Sequence, residues 1–174
     1  MNERIQRIVA IVKADFLLRF RKASTAVIFL ILCVAAYLWI PAPSSGKALI
    51  QFNEQRALYN SSALAIGTST IFTLLMGLFG YYLVSNSIKK DIQTRTGFIL
   101  ASTTMKNGEY LIGKFAGNVV FLLALSVGFL LSSMIMQLIR GEAPLEPHIF
   151  LLYYGAMIPP LIIFVSTVAV VFES

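Results

Sequence analysis

Four stretches of this chain, residues 23–40, 63–88, 115–139 and 149–172, contain no Asp, Glu, Lys, Arg or His. Even the shortest, as an α-helix rising about 1.5 Å per residue, reaches roughly 27 Å, close to the thickness of a bilayer's hydrocarbon core. That core holds no water, so every backbone N–H and C=O needs a partner within the protein, and a helix supplies those partners along its own length. A soluble chain covers its surface with charge, which typically takes about a quarter of its residues. Here only 13% are charged and 57% are hydrophobic, and the mean hydropathy is +0.79. The sequence therefore predicts an all-α integral membrane protein: an N-terminal interfacial amphipathic helix, then four transmembrane helices.

Residues 1–22 are charged but patterned. Ile5, Ile8, Val9, Val12, Phe16 and Phe20 recur at helical spacing and share one face. Glu3, Arg4, Arg7, Asp15, Arg21 and Lys22 fall mostly off that face, and Arg19 intrudes on its edge. Such a basic amphipathic helix lies in the membrane interface. The plainer alternative is a charged lead-in that lengthens the first span. Residues 23–174 are expected to form the transmembrane domain. The patterned segment is long for a signal-peptide n-region and no clean small-x-small cleavage site precedes the prolines, so the first span is read as retained. Tyr37 and Trp39 mark its far end, where amphipathic rings favour the interface, and Pro41 and Pro43 stop the helix.

Basic residues set the expected orientation. Arg4, Arg7, Lys13, Arg19, Arg21 and Lys22 precede the first span, and Lys89, Lys90, Arg95, Lys106 and Lys114 lie between the second and third. The other two loops hold only Lys47, Arg56 and Arg140. The positive-inside rule then places both termini and residues 89–114 in the cytoplasm. The net charge of +6 is accounted for by these flanks, which suit anionic lipid and form no separate basic domain, so nucleic acid is not expected as a partner. Cys33 is the sole cysteine and cannot form an intrachain disulfide; within a span it reads as a small buried hydrophobe.

Between the first two spans, residues 44–62 are polar, with Leu49 and Phe52 expected on a short surface helix and Asn60-Ser61-Ser62 matching a sequon of the kind that arises by chance. Gly67, Gly77 and Gly80, with Thr68, Ser69, Thr70 and Thr73, predict close helix packing in the second span; a polar conduit wall is the alternative. Gly113 and Gly117 form a small-xxx-small pair at the start of the third. Pro159-Pro160 is expected to bend the fourth span, and His148, beside Pro147, reads as interfacial.

Little of the chain suggests chemistry. Residues 108–114 fit G-x-x-x-x-G-K, but Phe115 stands where a phosphate-binding loop needs a Ser or Thr hydroxyl for magnesium. One His, one Cys and scattered carboxylates give no metal-ligand spacing and no Ser/His/Asp set. With no ionisable side chain inside the four runs, ion- or proton-coupled transport is disfavoured. The chain is not expected to be an enzyme or to bind a cofactor.

What remains is residues 89–114, the longest charged interval between apolar runs. Phe98, Ile99, Leu100 and Met105 stand among Asp91, Arg95, Lys106, Asn107 and Glu109. Two readings fit equally: a short helix offering apolar knobs with a charged rim to a protein partner, or a solvated loop with Asn107-Gly108 as a stop and restart. The order of elements and the motifs Asp91, Thr96-Gly97, Ile99-Leu100-Ala101-Ser102-Thr103, Lys106-Asn107-Gly108-Glu109 and Tyr110-Leu111-Ile112-Gly113-Lys114 resemble the permease subunits of type-2 ATP-binding cassette exporters, as does Pro159-Pro160 with the residues up to Ser166. The resemblance implies an elbow helix over residues 1–22 and a coupling segment docking in a groove of a separate ATP-binding cassette subunit. Asp91, Arg95, Thr96, Gly97, Phe98, Asn107, Glu109 and Tyr110 would form that docking surface. It further implies ATP and magnesium on the partner, a second permease copy or half, and a bacterial inner membrane. Family permeases usually have six spans and four are expected here, so a fragment, a truncated frame or a short member are the expectations. The alternative function is a small, non-transporting four-span accessory or assembly protein.

Overall fold

The computed structural model describes residues 3–47, 49–52, 55–85, 88 and 106–173. The described chain is dominated by five helices: α1 (Glu3–Phe20), α2 (Ala23–Trp39), α3 (Ser61–Val84), α4 (Asn107–Arg140) and α5 (Pro147–Glu173). α3, α4 and α5 are each long and apolar enough to cross a membrane; α1 and α2, bent by 72° at their junction, pass the same test only as a pair, so the spans number three or four. The fold is that of a multi-pass, helical membrane protein.

Two hairpins lie side by side. α2 turns back into α3, and α4 turns back into α5. The hairpins pack in the same sense, so α2 runs parallel to α4 and α3 parallel to α5. Cys33 meets Ser132 at 3.3 Å, and Phe29 lies over Gly128. On the other side, Tyr154 reaches Thr68 at 3.0 Å, Val165 covers Gly80, and the Ile88 amide reaches Glu173 at 2.9 Å. Both hairpin turns therefore sit at one end, and the start of α4 and the ends of α3 and α5 sit at the other. Phe72 stacks on Phe129 at 5.1 Å in the core, with Leu64, Leu122, Leu125, Ile158 and Ile162 buried around them. Leu78, Leu138, Leu152, Phe164 and Phe172 point outward, an apolar exterior that suits lipid and not water.

Two hydroxyls of α3, those of Thr68 and Ser69, are buried and hydrogen-bonded. Thr68 donates to the Leu64 carbonyl and Ser69 to that of Ile66, while Tyr154 bonds both Thr68 and Ser133 in the buried centre. Asn60 proves to be the N-cap of α3, its side chain accepting from the Ala63 amide at 2.8 Å. The short surface helix expected near Leu49 and Phe52 is absent among the described residues. A 3-10 turn (Pro43–Ser45) and a minimal antiparallel pair, β1 (Gln51–Phe52) with β2 (Gln55–Arg56), stand there instead, and Leu49 folds down onto Gly67. α5 continues as one helix through Pro159 and Pro160.

At the turn end, Ser61 and Gln137 are both buried and bond each other through Nε2 to Oγ at 2.8 Å. The Glu146 amide also donates to Ser61, and the Tyr59 amide donates to the Glu142 carboxylate at 3.1 Å. Arg140, the last residue of α4, lies 4.2 Å from the Tyr37 ring centroid and donates to the Tyr37 and Ile40 carbonyls, closing the C-terminus of α2.

Candidate functional site

The opposite end is built differently. α1 runs alongside the first half of α4, parallel to it, in a groove made by two glycines. A Cβ on Gly113 would come within 2.9 Å of Ile11 Cγ2, and one on Gly117 within 3.0 Å of Asp15 Oδ2. The small-xxx-small spacing is thus a docking track, and its occupant is α1.

Charged side chains line this track. Asp15 accepts from Lys114 Nζ at 3.2 Å and pairs with Arg19 Nε at 2.9 Å. Arg19 Nη2 donates to Asn118 Oδ1 at 2.7 Å, and its guanidinium carbon lies 5.5 Å from the Phe121 ring centroid. The Arg19 carbonyl accepts from Thr25 Oγ1 of α2 at 2.6 Å. Asp15 and Arg19 are each 8% exposed, Lys114 4% and Asn118 1%, so an ionic cluster is enclosed where three helices meet. Nearer the start of α4, Glu109 pairs with Arg4 at 3.5 Å and Arg7 at 3.9 Å. A carboxylate in the first turn also complements the positive end of the helix dipole.

The side of α1 turned to α4 is a polar one. Asp15, expected off the apolar face, and Arg19, expected at its edge, are the residues of α1 buried most deeply, while Ile5, Val9 and Phe20 of the apolar face are exposed. The groove selects side chains that fit over Gly113 and Gly117 and that meet Lys114 and Asn118. Lys114, expected in a loop, is inside α4, which begins at Asn107, ahead of the expected Phe115. Residues 108–114 are helical throughout, so the G-x-x-x-x-G-K spacing forms no phosphate loop.

Of the expected docking residues, Asp91, Arg95, Thr96, Gly97 and Phe98 lie outside the described residues. Asn107 opens α4 and is exposed. Glu109 is turned toward α1, and the Tyr110 ring lies 5.7 Å from Lys114 Nζ. Asp15, Arg19, Lys114 and Asn118 were not among the candidates. The signal available was two i, i+4 polar pairs, Asp15–Arg19 on α1 and Lys114–Asn118 on α4. Among the described residues, no group of three or more His, Cys, Asp or Glu could hold a metal ion. Compared with known proteins, the chain matches no family model, no curated protein and no solved structure.

Proposed function

We propose that this chain is a membrane permease subunit, or the N-terminal part of one, of an ATP-driven exporter, taking its energy from a separate ATP-binding cassette subunit. The observation that supports this best is the lashing of α1 to the first turns of α4 through Glu109, Arg4, Arg7 and the Asp15 cluster. At 34 residues, α4 is about 51 Å long, well over the roughly 30 Å of a hydrocarbon core. Its excess length lets its first turns project beyond the hydrocarbon core, and α1 braces that extension from the side. A segment held in this way can receive a push from a soluble partner and pass it into the bundle.

In this reading the coupling segment, residues 89–114, faces the cytoplasm of a bacterium and docks on the ATP-binding subunit, which holds ATP and magnesium. α1 rests in the interface with Ile5, Val9 and Phe20 toward lipid. A second permease copy or half completes the path. The test is co-purification from membranes with a tagged ATP-binding cassette subunit, comparing the native chain with Phe98→Asp and Asn107→Asp. Loss of the ATPase from the variants, with the chain still folded in the membrane, supports docking. Retention of the ATPase overturns it. A chain that recruits no ATPase at all, and a tag at Thr96 reached from outside the cell, each favour the accessory-protein reading.

A further inference from the structure

A cluster of ionised side chains is a poor adhesive. Apolar residues of similar volume hold two helices together as well or better, because they carry no desolvation penalty. What such a cluster adds is direction, since each bond fixes an orientation as well as a contact. An ionisable residue within a membrane-crossing helix is a functional candidate by default, and Lys114 lies inside α4.

Arg19 stands at the centre of this one. Its guanidinium holds α4 through Asn118 and Phe121, its Nε holds Asp15 one turn back on α1, and its carbonyl holds α2 through Thr25. Only Arg21 and Lys22 separate α1 from α2, and the bend is bonded at each step: Arg21 N to Leu17 O, Lys22 N to Arg19 O, and Thr25 N to Lys22 O. The 72° bend is therefore a braced corner without slack.

We propose that Asp15, Arg19, Lys114, Asn118 and Thr25 form a mechanical joint. Arg19 is its positioning residue, making α1 and the first half of α4 one arm and carrying the arm's movement around the corner into α2. The proposal rests on the reading above only for the source of the push. The joint itself is a property of this chain alone.

Distances between spin labels test it in lipid nanodiscs, with the full chain in a Cys33→Ala background. One pair, at Lys13 and Leu30, spans the corner; a second, at Leu58 and Leu138, reports the turn end; all four sites are exposed. The native chain gives a narrow distribution for both pairs. Arg19→Met, which keeps the length and removes the charge and the fork, and Thr25→Val, which cuts only the link to α2, each lose the single narrow peak across the corner and keep it at the turn end. An unchanged corner distance in Arg19→Met overturns the proposal. Broadening of both pairs in both variants also overturns it, since the cluster would then be holding the fold and not the corner. No ATP-binding subunit is present in this measurement, so its failure is distinct from failure of docking.

Discussion

The two ends of this molecule are fastened by different chemistry. At the turn end, the helices are joined by hydrogen bonds in which at least one partner is neutral: Ser61 with Gln137, the Glu146 amide on Ser61, the Glu142 amide on the Tyr59 carbonyl, the Tyr59 amide on the Glu142 carboxylate, and Arg140 on the carbonyls of Tyr37 and Ile40. At the other end, the fastening is a carboxylate between two cations, with a second carboxylate near the start of α4. Bonds of this kind pin two turns to each other at little desolvation penalty. Ion pairs tie orientation to charge, so a single neutralising substitution undoes the arrangement instead of trimming it. The end with the ion pairs is the end proposed to move.

That contrast can be broken or sharpened by substitution, beginning with the largest effect. Asp15→Ala leaves Arg19 and Lys114 enclosed without their shared carboxylate, and loss of one partner from a buried ionic group typically costs about 3–5 kcal/mol. Thermal or denaturant unfolding in detergent should show the drop. If Asp15→Ala unfolds like the native chain, the ionic end is no tighter than the neutral one and the contrast fails. Gln137→Leu removes the amide that bonds the Ser61 hydroxyl and the Pro144 carbonyl, leaving Ser61 its bond from the Glu146 amide, and should cost about 1–3 kcal/mol in the same assay, without changing the α1–α4 geometry.

Gly113→Ala puts a methyl group against Ile11 and should destabilise by about 1–3 kcal/mol, since Ile11 and its helix must shift to make room. Crosslinking between α1 and α4 would show the shift, and Gly108→Ala, with open space around it, should not. Arg140→Met removes the group that closes α2 and should cost about 1 kcal/mol, read as faster amide exchange in the last turn of that helix. The smallest effect belongs to Glu109→Gln. Its pairs with Arg4 and Arg7 are partly solvated, so no more than about 1 kcal/mol is expected, and that should shrink further in high salt.

The sequence was legible where one residue type suffices. Apolar runs placed α3, α4 and α5, and the Gly113/Gly117 spacing marked a packing groove before its occupant was visible. Asn60 was legible only as a glycosylation triplet, although an Asn before an apolar run is also an ordinary N-cap. Contacts between distant residues were not legible. Arg19 meets Asn118, Asp15 meets Lys114 and Cys33 meets Ser132, each pair separated by 99 positions. Nothing in the local periodicity of α1 says that its polar residues face a lysine on another helix. Nor does Arg140 in a turn indicate that two carbonyls of α2 await it.

The order in which these contacts become available has a consequence for how the chain is made. α3, made before α4 and α5, carries Thr68 and Ser69, whose hydroxyls bond to carbonyls of their own helix and can enter lipid unaided. Gln137, Lys114, Arg140 and Tyr154 have no such self-sufficiency, yet Ser61, Asp15, the end of α2 and Thr68 have all been synthesised before them. Each later helix thus arrives to find its hosts already seated. A ribosome working from the first residue to the last would give each of these four side chains a partner already in place.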